Sequence, residues 1–247
     1  MIKFGNKART ACLVLVIAFS FLVVYYTIAN VNVSVPTIGG VSDDFWIVID
    51  AGHGGMDGGC SSVDGVPEKG INLNILLNLR DLCMVFGYNV DVTRDSDVSI
   101  HDKGVKGIAN QKRSDMDNRL AIFNRHSNAL CLSVHQNKFT DPKYSGAQMF
   151  YSDNNPKNEG IARIMQQKFV EYLQPENTRE IKLCGKELFL CYYCKNPTVM
   201  IECGFLSNPD EAAKLKTEEY QKQIAFTIFS GINEYLQQEM NSANTGS

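Results

Sequence analysis

The sequence predicts an α/β fold, a three-layer sandwich with a mostly parallel sheet of about six strands and helices on both faces. The first observation is a strand–helix–strand unit, formed by the segments "FWIVID" (45–50), "EKGINLNILLNLRDLCMVFG" (68–87) and "YNVDVT" (88–93). Strands joined in this way through one helix are parallel. The second observation is that apolar runs and amphipathic segments keep alternating along the chain, which is typical of layered α/β domains.

The first two helices are predicted from periodicity and capping. Ile71, Ile75 and Leu79 lie on one face of the first helix, and Gly87 follows its end, where a glycine commonly terminates a helix. Residues 94–113 have mixed charge and little periodicity and therefore predict a surface loop. Ser114 is predicted to cap the second helix, which begins with acidic residues.

The second half of the chain continues the alternation. Asn208 is predicted to cap a helix with Pro209 in its first position, and apolar residues at four-residue spacing from Tyr220 to Leu236 predict a last helix. The remaining predicted elements are four strands, "ALCLSVHQN" (129–137), "GAQMFYS" (146–152), "KELFLCYY" (186–193) and "PTVMIE" (197–202), and one amphipathic helix, "NEGIARIMQQKFVEYL" (158–173).

The amino terminus differs in composition from the rest of the chain. Lys3, Lys7 and Arg9 precede an uncharged apolar run, residues 11–29, which is long enough to cross a bilayer with its first residues in the cytoplasm. We predict an uncleaved membrane anchor over residues 1–29, and a cleaved signal sequence is the alternative. Either origin places the rest of the chain outside the cytoplasm. Residues 30–43 are small and polar and predict a linker.

Composition bounds the possible functions. A net charge of -3 with 44% hydrophobic residues is typical of one domain with a real core and argues against a nucleic-acid partner. Eight cysteines in an exported chain raise the question of disulfides, but core packing is the default interpretation for most of them. Four lie within twenty residues and could form a structural zinc site or a redox pair, namely Cys184, Cys191, Cys194 and Cys203. The predicted strand "KELFLCYY" argues against that site, because residues three apart on a strand face opposite sides.

Three residues with useful chemistry follow or end predicted strands. His53 lies in the glycine loop of "VIDAGHGGMDGG" (48–59), His135 ends the third strand, and Glu202 ends "VMIE". Ligands bind at the carboxyl ends of the strands in open parallel sheets, so we expect these side chains to meet there. Glu68 heads the first helix and can reach the same edge.

Two imidazoles and a carboxylate with an open position are typical of a catalytic zinc site. We therefore predict that His53, Glu68 and His135 bind one Zn²⁺ and that Glu202 acts as base and acid. His101 and His126 are predicted to be surface residues.

Four motifs resemble, in order and spacing, those of the zinc-dependent N-acetylmuramoyl-L-alanine amidases: "DAGHGG", "PEKGINL", "SVHQN" and "IECGFLSNPDE". The resemblance covers about residues 45–236 and implies a catalytic domain over 44–240, followed by a flexible tail, 241–247. It implies cleavage of the amide between muramic acid and L-alanine, zinc on the ligands above and a catalytic Glu202. Asn137 and Arg119 are the predicted substrate contacts. Gln136, where a small residue is usual, and the long loop 95–113 depart from the family pattern.

The chain looks most like the germination-specific amidases of spore-forming bacteria. That resemblance implies action on cortex peptidoglycan, on the way to muramic-δ-lactam, at the forespore or cortex side of the membrane. An accessory protein or a dimer is left open. The alternatives are another extracytoplasmic zinc hydrolase, such as a peptidase or sugar deacetylase, and a non-catalytic wall-binding protein.

Overall fold

One sheet organises the molecule in the computed structural model, which describes residues 44–245 together with Ser20. Its strands run in the order β2-β1-β3-β6-β4-β5. Every neighbouring pair is parallel except β4 and β6, which are antiparallel, so the predicted mostly parallel sheet is confirmed. The bounds are β1 (Trp46–Ala51), β2 (Asn89–Val92), β3 (Ala129–Asn137), β4 (Gln148–Tyr151), β5 (Lys182–Leu183) and β6 (Thr198–Phe205).

Helices cover both faces of this sheet, as the sequence predicts. The bounds of the helices are α1 (Glu68–Val85), α2 (Ile108–Phe123), α3 (Asn158–Tyr172), α4 (Phe189–Tyr193), α5 (Pro209–Leu215) and α6 (Glu218–Thr245). Four helices pack on one face of the sheet, namely α1, α3, α5 and α6. The other two, α2 and α4, pack on the opposite face.

The alternation of side chains along β1 shows why the strand is apolar throughout. Ile47 and Ile49 pack in the large cluster under α1 and α6, whereas Val48 packs with Phe123 on the opposite face. All three β1 side chains are fully buried, and each contributes roughly 1.5–3 kcal/mol of burial free energy. A strand covered on both sides has no polar face, so its sequence does not alternate.

One predicted strand is wrong. Residues 186–193 were expected to be extended, but Phe189–Tyr193 form the short helix α4, and the strand at this edge is Lys182–Leu183. A run of five apolar and aromatic residues has no periodicity that distinguishes a strand from a buried helical turn. The cysteine argument that relied on an extended "CYYC" therefore loses its premise.

Other boundaries also moved. Helix α2 begins at Ile108, whereas the sequence predicted a start at Ser114. The first two turns are mostly solvent-exposed and carry no apolar stripe, so their sequence resembles that of a loop. Strand β6 continues past Glu202 to Phe205. Helix α6 reaches Thr245, so residues 241–245 of the predicted tail are helical.

The predicted anchor (1–29) and linker (30–43) lie outside the described residues, apart from Ser20. Among the residues that are described, no helix has both the length and the apolar content needed to cross a membrane.

Candidate active site and metal centre

The carboxyl edge of the sheet brings the four predicted residues together. His53 follows β1 by two residues, and His135 on β3 is the direct register partner of Glu202 on β6. Glu68 is the first residue of α1, which packs beside β1 and β3. Position in the topology therefore assembles the site, as the strand-end argument predicts.

Two glycines near His53 lie where a side chain would overlap other residues of the site. A Cβ on Gly52 would lie 2.1 Å from Cε1 of His135, and one on Gly59 would lie 2.4 Å from Cγ of Glu68. His53 itself has φ 64, in the left-handed region that few side chains adopt. The loop thus has backbone strain at His53, where the side chains of His53, Glu68 and His135 come close together.

The donor atoms form a compact set. Oε1 of Glu68 lies 3.1 Å from Nε2 of His53 and 3.1 Å from Nδ1 of His135. One ligand atom from each residue falls within 4.8 Å of the others, and no other such group of His, Cys, Asp and Glu converges within residues 44–245. Two imidazoles and one carboxylate at this spacing fit a tetrahedral zinc ion with one position left for a ligand.

A second carboxylate, that of Asp57, lies within hydrogen-bond distance of the other ring nitrogen of His53. Nδ1 of His53 lies 2.9 Å from Oδ2 of Asp57, whose Oδ1 accepts from the Lys112 ammonium at 2.9 Å. Burial by itself would lower the pKa of His53, but Glu68 and then Asp57 raise it to about 9. The imidazole is therefore oriented by a carboxylate on the side away from Glu68, the usual arrangement for a metal-ligating histidine.

Glu68 is held as an anion by several donors. The backbone N–H of Cys60 donates to Oε2 at 2.8 Å, and the amide of Asn72 donates to Oε1 at 3.1 Å. Burial raises the pKa of Glu68, but the hydrogen bonds and charges of His135 and His53 outweigh it and leave the pKa well below its usual range.

Glu202 lacks the hydrogen-bond donors that hold Glu68, and its pKa shifts in the opposite direction. Its Oε2 is buried and has no hydrogen-bond partner. Burial raises the pKa of Glu202 to about 7, with His135 opposing and Glu68 reinforcing the shift. A carboxylate with this pKa can both accept and return a proton near neutral pH.

A buried polar layer lies beneath the ligands. Asp50 on β1 accepts from Arg119, from Ser133 at 2.6 Å and from Thr93 at 2.7 Å. Arg119 also donates to Asp115 at 2.6 Å and to the carbonyl oxygens of Ala51 and His53 at 2.9 and 2.7 Å. This layer fixes the backbone from which His53 projects.

The two predicted substrate contacts occupy different positions. Arg119 is 1% exposed and lies at the floor of the cavity described below, with its donors directed to Asp50, Asp115 and the loop backbone. Oδ1 of Asn137 accepts from the N–H of Lys138 at 2.8 Å, outside the cavity lining. A substrate contact by either residue stays a prediction.

An open cavity of about 450 Å³ gives access to His53, His135 and Glu202. Its apolar lining includes Leu188, Phe189, Leu190 and Met200, and its charged lining includes Lys112 and Asp57. A larger cavity of about 580 Å³ lies at the amino ends of the strands, but no histidine lines it. Side-chain chemistry, rather than volume, therefore selects the active-site cavity.

Sequence reasoning missed the residues that orient the ligands. Asp57 and Asn72 each lie four residues after a predicted ligand, and this spacing could have drawn attention to them. The two remaining histidines do not join the site, but neither is fully exposed. His126 stacks on Trp46 with ring centroids 3.8 Å apart, and Nδ1 of His101 lies 2.9 Å from Oγ of Ser99.

Known proteins show the same combination of sequence and fold. A family model described as N-acetylmuramoyl-L-alanine amidase matches residues 47–234. The germination-specific N-acetylmuramoyl-L-alanine amidase of Bacillus subtilis is 35% identical over 191 residues, which cover 77% of this chain and 79% of that protein.

Solved structures agree with this match. The CwlD amidase of Clostridioides difficile, determined in complex with the GerS lipoprotein, has a TM-score of 0.75 and 36% identity over 78% of this chain and 98% of that one. An N-acetylmuramoyl-L-alanine amidase from Clostridium difficile 630 has a TM-score of 0.68 and 28% identity, with coverage of 79% and 98%. The family match spans most of the described domain and includes all four residues of the predicted site. The chain therefore belongs to the N-acetylmuramoyl-L-alanine amidase family.

Proposed function

We propose that the chain is a zinc-dependent amidase that removes stem peptides from spore-cortex peptidoglycan, on the way to muramic-δ-lactam. The observation that carries the proposal is the donor set of His53, Glu68 and His135 beside a carboxylate, Glu202, whose Oε2 has no partner. The family favours an amidase over a peptidase, a sugar deacetylase or a wall-binding protein.

The residues of the chain divide the work of hydrolysis. His53, Glu68 and His135 would hold the metal, and a bound zinc ion polarises a carbonyl and lowers the pKa of water. Glu202 takes a proton from the attacking water and passes it to the nitrogen of L-alanine as the amide bond breaks. Its pKa of about 7 suits both steps at neutral pH.

The cortex assignment and the accessory partner rest on the relatives. The Bacillus subtilis relative is described as germination-specific, and the CwlD amidase was determined in complex with a lipoprotein. By similarity, this chain acts on cortex peptidoglycan and works with an accessory lipoprotein.

Export is the remaining part of the proposal. The basic residues Lys3, Lys7 and Arg9 and the uncharged run 11–29 support a membrane anchor that leaves the catalytic domain outside the cytoplasm. Fractionation of the full-length chain tests this point, because a soluble cytoplasmic chain contradicts it and a mature form starting near Asn30 favours a cleaved signal.

The variant Glu202→Gln tests the catalytic part. It keeps the size of the side chain and removes the basic carboxylate, so it should fold and bind zinc normally while the rate falls by roughly 10²–10⁴-fold. The assay is release of stem peptides with a free L-alanine amine, followed by mass spectrometry, with zinc content measured on the same samples.

Glu68→Gln is the matched control, because it should lose zinc as well as activity. Wild-type rate in Glu202→Gln, or loss of activity that only follows loss of zinc, would contradict the role of Glu202. Active wild-type protein that contains no zinc would contradict the metal.

A further inference from the structure

Two pairs of buried thiols lie behind the apolar wall of the active-site cavity. Residues 184–194, here called the wall segment, contain α4 and supply Glu187, Leu188, Phe189 and Leu190 to the cavity lining. The segment begins and ends with a cysteine and contains a third, Cys191. The amidase reaction uses none of them.

The first pair joins the wall segment to the sheet. The side chains of Cys131 on β3 and Cys194 at the end of α4 interact with each other, and both interact with Thr198 on β6. Both cysteines are at most 1% exposed and pack in one apolar cluster with Leu190. Cys131 lies four residues before His135 on the same strand, so this pair links the wall to a strand that carries a site residue.

The second pair closes the wall segment on itself. The side chains of Cys184 and Cys191 interact with each other and form one small buried cluster with Met200. A bond between them would enclose residues 185–190, which include all four lining residues of the segment.

A metal does not explain the four thiols. Within residues 44–245, the only three His, Cys, Asp or Glu side chains whose ligand atoms converge are His53, Glu68 and His135. None of the four cysteines therefore belongs to a described group of three converging ligand atoms. Two neighbouring thiols without a third ligand are the arrangement from which a disulfide forms.

We propose that Cys131–Cys194 and Cys184–Cys191 are disulfide sites that close when the chain folds outside the cytoplasm. The inference rests on the export in the proposed function, since disulfides persist in oxidising compartments. It goes beyond the amidase reaction, because the bonds would fix the cavity wall rather than take part in hydrolysis.

Each bond forms by thiol–disulfide exchange with an oxidised donor, either a disulfide oxidoreductase or glutathione disulfide. One cysteine thiolate attacks the donor disulfide and displaces one donor thiol. Its partner then attacks the mixed disulfide and displaces the second donor thiol. The cysteine pair loses two hydrogens and two electrons, and the donor gains them. The interaction with the partner thiol lowers the pKa of Cys194 and of Cys184, which favours these two as attacking thiolates.

The test is disulfide mapping of the full-length chain in detergent, refolded with mixed oxidised and reduced glutathione. Free thiols are alkylated, and peptides are identified by mass spectrometry without reduction. We expect the two predicted cross-linked peptides, with Cys12, Cys60, Cys83 and Cys203 alkylated. Each bond should raise the Tm of the oxidised form above that of the reduced form by roughly 4–16 °C.

Three variants sharpen the result. Cys194→Ala should lose the first link and keep the second, and Cys191→Ala should do the reverse. Cys83→Ala removes a buried cysteine from the core cluster on the other face and should leave the oxidised-minus-reduced difference in Tm unchanged. Hydrogen exchange at residues 185–193 should also be slower in the oxidised form, because the segment is held at both ends.

Alkylation of all four wall-pair cysteines, Cys131, Cys184, Cys191 and Cys194, would overturn the inference, and so would a link between Cys191 and Cys194. Mapping does not depend on catalysis, so the two proposals fail separately. An active zinc amidase with free thiols rejects the disulfides alone, whereas mapped disulfides in a chain that releases no stem peptides reject the proposed function alone.

Discussion

Zinc binding should displace a proton from His53, and the structure gives the size of the effect. Burial alone would lower the pKa of His53, but Glu68 and then Asp57 raise it to about 9 in the metal-free protein. The metal needs the lone pair that this proton occupies, so proton and zinc compete. Below the pKa, apparent zinc affinity should fall as the pH falls, by about tenfold between pH 8 and pH 7, or ~1.4 kcal/mol.

The same reasoning predicts the outcome for an unperturbed site. An imidazole with the ordinary pKa of about 6.5 would change the affinity by less than about 1.5-fold over this pH interval. Zinc affinity is measured by competition with a chelator of known pH dependence. Proton release at pH 7, expected to be about one per site from a ligand with a pKa near 9, is measured by calorimetry in two buffers of different ionisation enthalpy.

Asp57→Asn is the decisive comparison, because it keeps a hydrogen-bonding group beside Nδ1 and removes the charge. The pH dependence should become shallower, since the pKa of His53 falls. The affinity at high pH should fall by about 10–100-fold, since the ligand loses the carboxylate that orients it. Protons released by other groups are common to both proteins and cancel. Identical pH slopes in wild type and variant, or a flat wild-type curve, would refute the reasoning.

Two further predictions concern the support of the site. Arg119→Met leaves buried carboxylates without their partner and should cost about 3–5 kcal/mol in the free energy of unfolding. Arg125→Met, at an exposed ion pair, should cost about 1 kcal/mol or less, and equal losses in urea unfolding would contradict the buried network. Gly52→Ala should abolish zinc binding and activity, because its Cβ would overlap the His135 ring. The control is Gly70→Ala on α1, where no atom lies near the added carbon, and it should stabilise the protein by about 0.5–1 kcal/mol. A Gly52→Ala protein with normal zinc content would contradict the prediction, because it would show that the His135 ring can move aside.

The sheet and the convergence of the predicted site residues could be predicted because both depend on position along the chain. Apolar runs flanked by turn residues identified β1, β3 and β6, and parallel strands place His53, His135 and Glu202 at one edge whatever the details of packing. The helix cap at Asn208 was also predictable, because capping depends only on neighbouring residues. Its side chain accepts from the N–H groups of Asp210 and Glu211.

The failures came where burial, rather than periodicity, decides the structure. The run Phe189–Tyr193 is helical because it packs beside α2 as part of the second layer, and five residues carry no helical repeat to reveal this. The first turns of α2 face solvent and so resemble a loop in sequence. The links of Arg119 to Asp50 and to the His53 carbonyl span more than sixty residues, and no spacing rule could predict them.

The polar layer around Asp50 has a consequence for the state of the protein before a metal binds. Its hydrogen bonds join groups of the chain to one another and hold the backbone that carries His53. In a zinc finger, by contrast, the metal provides the folding free energy. We therefore expect the chain to persist as a folded but dormant store where zinc is scarce. Once the ion is delivered, the onset of activity should follow the arrival of metal by diffusion and not the slower timescale of folding.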